Sequence, residues 1–160
     1  GIKLDPKDYR FFEGLGVSKF GLKDFLGSMK DYAIALEINP KISTIYYSMG
    51  NSRMELKDFE GAISDFSKAI EINPNYENAY VNRGISRKNI KDFKGSITDY
   101  EKALLINSKD AITFHNLALS KKEIGDINGA CLAMEKSLSL GNKLASKFID
   151  NECKEKLEHA

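Results

Sequence analysis

The 160-residue chain has no tryptophan, three prolines, two cysteines and two histidines, and its 24 basic and 23 acidic residues nearly cancel. Each shortage removes a class of explanation. Interspersed charge of near-zero sum supplies no field to draw the chain to nucleic acid or anionic lipid, so neither is expected as a partner. No apolar run reaches the roughly 18 to 20 residues of a membrane span, and the opening GIKLDPKDYR lacks the apolar core of a signal peptide. Membrane insertion is therefore not expected, and the chain as given reads as soluble, with the cytoplasm favoured. A start at Gly1 rather than methionine leaves room for an upstream segment, and with it the compartment stays open.

Material for chemistry is equally scarce. His115 and His159 share no metal-ligand spacing with each other or with Cys131 and Cys153, so no metal is expected. The two cysteines fit neither a disulfide-dense framework nor a Cys-x-x-Cys knuckle, and Cys131 reads as a small buried apolar residue in a helix. The serines sit in helical patterns with no nucleophile elbow, and no phosphate loop of the G-x-x-x-x-G-K-[ST] kind occurs. No catalytic residue and no cofactor are expected, and the chain is read as not an enzyme. Charge pairs such as Asp65 with Lys68 and Lys88 with Asp92 read as solvated, at a few tenths of a kcal/mol each.

What the chain does contain is itself, repeated. DFEGAISDFSKAIEINPNYENAYVNRG, from Asp58, returns as DFKGSITDYEKALLINSKDAITFHNLA, from Asp92, a shift of 34 residues. That period marks an all-α solenoid of helical hairpins. Framed just before the first helix of each hairpin, the repeats are 9–42, 43–76, 77–110 and 111–144. Position eight holds Gly16, Gly50, Gly84 and Ala118; position twenty holds Ser28, Ala62, Ser96 and Ala130; position twenty-seven holds Ala35, Ala69, Ala103 and Ser137. Small residues there let helix backbones approach closely. Large ones fill the intervening space: Phe12, Tyr46, Tyr80 and Phe114 at position four, Tyr32, Phe66, Tyr100 and Met134 at position twenty-four.

Asp24, Asp58, Asp92 and Asp126 precede the second helices, where a carboxylate caps the free amides of the first turn for about 1 kcal/mol each. Asn39-Pro40 and Asn73-Pro74 close second helices, because proline disfavours helix in the residue before it. Asn107-Ser108 and Gly141-Asn142 stand at the corresponding places. Asp5-Pro6 reads as an N-cap and first helical residue, so the first helix is expected to begin before the formal repeat. Residues 143–157 carry Leu144, Phe148 and Cys153 toward one side, which suits an amphipathic helix capping the last hairpin.

The small and aromatic positions, the Asn-Pro closures and the period together resemble the tetratricopeptide repeat over residues 9–144. Phenylalanine replaces the usual position-four tryptophan or tyrosine twice, and the closing proline is missing from the third and fourth repeats. The resemblance implies one domain built as a right-handed superhelical solenoid of antiparallel helix pairs, with the first helices lining a concave groove.

On those first helices, positions two, five, nine and twelve share one side by their three-and-four spacing. The first repeat puts Arg10, Glu13, Val17 and Phe20 there, and the second Thr44, Tyr47, Asn51 and Met54. The third puts Asn78, Val81, Ile85 and Lys88, and the fourth Ile112, His115, Leu119 and Lys122. Tyr47, Met54, Val81, Ile85 and Leu119 would receive apolar side chains of a peptide, while Asn51, Asn82 and Asn116 would pair with its backbone, since an amide both donates and accepts. The expected function is thus a protein-interaction module that binds a peptide or protein partner.

One branch of the resembled family grips the carboxylate end of chaperone tails with lysines, asparagines and an arginine. Asn51 and Asn82 match its asparagines, but Tyr47, Ile112 and Asn116 occupy its cation positions, so the charge-assisted bonds are missing and that mode is not expected. Two alternatives stand beside the module reading. Phe11, Phe12, Leu15 and Phe20 have no preceding hairpin in this chain to cover them, which would suit a structural spacer or a homo-oligomer formed through the N-terminal repeat. The array would also serve as a regulatory domain of a larger protein.

Overall fold

Four aspartates at one repeat position set where the second helix of each hairpin begins. The computed structural model describes residues 8–153, and in it Asp24, Asp58, Asp92 and Asp126 accept from the backbone N–H of Gly27, Gly61, Gly95 and Gly129 at 2.9 to 3.0 Å. Each therefore satisfies one of the four amides that a helix start leaves unpaired. The described residues form nine helices and no strand. The first three pairs are α1 (Tyr9–Gly21) with α2 (Phe25–Ile38), α3 (Ser43–Glu55) with α4 (Phe59–Ile72), and α5 (Glu77–Asn89) with α6 (Phe93–Ile106). The fourth pair is α7 (Ala111–Glu123) with α8 (Ile127–Ser139), and α9 (Ala145–Glu152) follows.

The turn inside each pair has one backbone requirement. Lys23, Lys57 and Lys91 adopt φ of 62°, 61° and 64°, and Gly125, at the same repeat position, adopts 81°. Only the fourth repeat uses the residue that enters the left-handed region without steric cost.

Between pairs the chain is turned by asparagine rather than by proline. Asn39, Asn73 and Asn107 cap α2, α4 and α6 with nearly the same extended backbone. Each side chain accepts from the N–H two residues on, at 3.1 Å. Asn107 does this with no proline after it, so the closing motif survives where the sequence departs from Asn-Pro.

The chain divides into two compact halves, residues 1–82 and 83–160. In the first, Tyr32, Ala35 and Ile45 make one fully buried cluster, and Ala62, Phe66, Ala69 and Ala79 another. The Tyr32 ring lies directly on Gly16 and the Phe66 ring on Gly50. In the second half Tyr100, Leu117, Ala118, Ala130, Ala133, Met134 and Ala145 form the core, with Tyr100 against Gly84. Buried serine pairs stitch neighbouring hairpins, Ser28 with Ser52 and Ser96 with Ser120, each at 2.9 Å.

Two expectations are corrected. Asp65 does not share its charge with Lys68: it is buried, and it accepts from Arg53 Nε at 2.8 Å, while Lys68 pairs with Glu71. Asp92 likewise faces Arg87, 3.7 Å away, rather than Lys88. The pattern extends through three repeats, Lys19 with Asp31, Arg53 with Asp65, and Arg87 together with Arg83 on Asp99. These ion pairs join the two helices of a hairpin, a distance in space that a search along one helix face does not see.

The second correction concerns Cys131. It is not a free apolar residue: it forms a disulfide with Cys153, 22 residues on, and among the described residues no cysteine is free. The bond ties the end of α9 to α8, beside the apolar contacts that Phe148 and Ile149 make with the core. The Asp5-Pro6 cap, the last residues of the expected 143–157 helix and His159 lie outside the described residues. Helix α1 begins at Tyr9, with the Asp8 carboxylate accepting from the Arg10 N–H.

Candidate binding face

In the first half, the face of α3 and the start of α5 is held by an internal network. Asn82 donates through Nδ2 to Asn51 Oδ1 at 2.8 Å and to the Tyr47 hydroxyl at 3.1 Å. The Tyr47 ring stacks on Tyr76 and Phe66, with centroids 4.9 and 5.7 Å apart, and Met54 packs on the Phe66 cluster. Tyr47 and Met54 thus spend part of their apolar surface inside the fold. Asn78 stays exposed, Val81 half-buried.

A cavity of about 160 Å³ opens beside this network, lined by Val17, Phe20, Tyr32, Ser48 and Asn51. Val17 is 56% exposed. Arg10 is engaged by Asp8 at 2.7 Å, and Glu13 accepts from Thr44. The apolar opportunity in this half therefore lies with Val17 and Phe20 more than with Tyr47 and Met54.

In the second half, Ile85 and Leu119 lean on the core, while Ile112 stands 58% exposed. Lys122 is engaged: its ammonium lies 2.7 Å from Glu152 of α9 and over the Phe148 ring at 5.6 Å. Lys88 is different. It is half-buried, burial holds its pKa below the usual lysine value, and its contact is Asn116 Oδ1 at 3.4 Å. His115 buries Nδ1 without a hydrogen-bond partner. Its pKa is lowered first by burial and then by the Lys88 charge.

Asn89, Lys91, Phe93 and Glu123 join Lys88 and Leu119 around a second cavity, of about 410 Å³. The three-and-four spacing missed Asn89, Lys91 and Phe93 because they belong to the end of α5, the turn and the start of α6. Their signal in the sequence is the Lys-Asp-Phe that recurs at the first three turns, which capping alone had explained. Among the described residues no group of three or more His, Cys, Asp or Glu side chains is placed to hold a metal, and no helix is long and apolar enough to cross a membrane.

Two models of the tetratricopeptide repeat match the chain, one over residues 43–76 and one over 77–110, the frame in which α3 and α5 each open a repeat. The chain thus carries two tetratricopeptide repeats, over residues 43–110. Its fold, an all-α helical-repeat solenoid, is also that of several solved structures. MamA is similar with a TM-score of 0.83 at 20% identity, over 89% of this chain and 83% of that one. The first tetratricopeptide repeat domain of Spaghetti (RPAP3), solved with an HSP90 peptide, has a TM-score of 0.72 at 21% identity, over 78% of this chain and 99% of that one. The Arabidopsis OM64 tetratricopeptide repeat domain has a TM-score of 0.66 at 21% identity, covering 75% and 96%. No curated protein matches the chain in sequence. Tetratricopeptide repeat proteins are in general non-catalytic interaction modules, and this chain is a protein-interaction module in that broad sense.

Proposed function

We propose that the chain binds an extended or helical peptide segment of a protein partner along the faces of its first helices, without catalysing a reaction on it. In the first half the contact residues are Tyr47, Asn51, Met54, Asn78, Val81 and Asn82, with Val17 and Phe20 beside them. In the second they are Ile85, Lys88, Ile112, His115, Asn116, Leu119 and Lys122. The observation that carries this reading is the exposure of Ile112, 58%, on the same side of α7 as the polar, incompletely partnered His115 and Asn116. An apolar anchor beside unspent hydrogen-bonding groups is what a peptide needs. The solved Spaghetti domain with its HSP90 peptide supports the mode in a protein of like fold, although the chaperone-tail clamp itself lacks its cations here.

Micromolar affinity, about 8 kcal/mol, suits one short segment, because ordering it opposes the contact energy. The test is a displayed decapeptide library selected on the immobilised chain, followed by anisotropy titration of the enriched peptides. Ile112→Glu and Asn78→Glu should each weaken binding at least tenfold, while Leu105→Glu, on exposed α6 surface, should not. Peptides indifferent to the first two substitutions and lost on the third would place binding on the second helices instead. Ile112 is a cleaner probe than Tyr47, since Tyr47→Glu would also break packing on Phe66 and Tyr76.

A further inference from the structure

The cations of α5 and α7 in the second half are paired, with one exception among the described residues. Arg83 and Arg87 hold Asp99, Lys121 lies 3.4 Å from Glu101, and Lys122 lies 2.7 Å from Glu152. Lys88 is half-buried and meets only the neutral amide oxygen of Asn116, at 3.4 Å. An ammonium withdrawn from water without a counter-ion is costly to the folded chain. Its partner is therefore to be sought outside.

The surroundings specify that partner. Asn116 gives its oxygen to Lys88, which leaves its Nδ2 protons free to donate. His115, the preceding residue on α7, has a buried Nδ1 with no partner and lies close enough to feel the Lys88 charge. Leu119, a turn further along α7, lines the same cavity as Lys88, and Ile112 stands exposed a turn before Asn116. Glu123 and Lys91 also line that cavity, but Glu123 is exposed and makes no ion pair with Lys88. One ammonium, one amide and one imidazole match the two oxygens of a carboxylate. A phosphate dianion would call for more positive charge than this. The apolar residues on either side suit a continuing chain rather than a chain end.

We propose that Lys88, Asn116 and His115 receive the side-chain carboxylate of a glutamate or aspartate inside a bound peptide, with Ile112 and Leu119 taking an apolar neighbour. This rests on the reading of the first-helix faces as peptide-binding, and it assigns the acidic class to the ligand of the second half. Asn116 and Ile112 stand at two positions where the chaperone-tail clamp carries cations, but the cation here is Lys88, outside that set, and the carboxylate belongs to a side chain rather than a chain end.

Three pools of acetylated, amidated decapeptides test it, each with randomised apolar and small residues around a central Glu, Gln or Lys. They are titrated by anisotropy against the unmodified chain and against Lys88→Gln, Lys88→Arg and Lys68→Gln. Binding of the Glu pool should exceed that of the Gln pool about tenfold. Lys88→Gln should remove that preference, Lys88→Arg should keep most of it, and Lys68→Gln, whose lysine already has Glu71, should leave it intact. The Glu pool, and not the Gln pool, should move the His115 imidazole titration upward in NMR spectra. Equal binding of all three pools, unchanged by Lys88→Gln, would overturn the carboxylate site and leave peptide binding standing. Failure of every pool to bind would overturn both.

Discussion

The Tyr100 ring lies against Gly84 so closely that a Cβ added at that glycine would meet Tyr100 Cε1 at 2.7 Å. Its hydroxyl, buried, has no hydrogen-bond partner, and burial pushes its pKa well up. Tyr32, at the same repeat position, instead hydrogen-bonds Ser48, and Phe66 has no hydroxyl to satisfy. Gly84→Ala should overpack this contact and destabilise by about 1–3 kcal/mol. Tyr100→Phe, which removes only the unpartnered group, should be neutral or stabilising by up to about 1 kcal/mol. Gly14→Ala, where no atom lies within 4 Å of the added methyl, should stabilise α1 by about 0.5–1 kcal/mol. Urea unfolding of the three variants checks the order of effects.

Asp99, 1% exposed, neutralises Arg83 at 2.7 Å and Arg87 at 2.9 Å. Asp99→Ala removes the buried carboxylate that two guanidinium groups share, leaving Arg87 with Asp92 at 3.7 Å and the Gly95 carbonyl, and should cost about 3 kcal/mol. Lys68→Ala, which removes an exposed pair with Glu71, should change little. Chemical denaturation separates the two, and a loss below 1 kcal/mol for Asp99→Ala would show that the guanidinium groups find water.

The disulfide of Cys131 with Cys153 closes a loop of sequence separation 22. Cross-linking a loop of that length contributes about 3 kcal/mol by restricting the unfolded chain. The unfolding midpoint should fall on adding a reductant, and Cys131→Ser with Cys153→Ser should sit at the lowered midpoint and ignore reductant. An unmodified chain with two titratable thiols after aerobic purification would contradict the pairing.

The extent of what sequence alone revealed follows from range. Asp24, Asp58, Asp92 and Asp126 were legible as caps because a cap acts on amides three residues away. Gly16 under Tyr32 was legible because the period printed the pair repeatedly. The pairing of Cys131 with Cys153 was not, since it depends on how α9 folds back on α8, and only one repeat carries it. Asp31, Asp65 and Asp99 were missed for a similar reason: their cations lie on the partner helix of the hairpin. On the candidate face, the spacing found Lys88 and His115, and amide chemistry singled out Asn116, but neither could distinguish Lys122, neutralised by Glu152 of α9, from Lys88, which has no carboxylate among the described residues.

His115 supplies a pH dependence. Burial and Lys88 hold its folded pKa below the usual histidine value of 6.5, so the unfolded chain takes up a proton first as pH falls. The stabilisation is complete above pH 6.5 and is lost as pH drops through the folded pKa. His115→Gln should flatten the stability profile between about pH 7.5 and 5, and Lys88→Gln should raise the His115 titration in NMR spectra. An unchanged titration in Lys88→Gln would mean that the two side chains do not sense each other.

The most direct test of the binding account is chemical-shift mapping on the ¹⁵N-labelled chain with the tightest peptide from the decapeptide library. The account predicts saturable shifts on α3, α5 and α7, centred on Asn51, Asn78, Lys88, Ile112 and Asn116. Shifts confined to the second helices, around Leu26, Leu105 and Leu132, would contradict it.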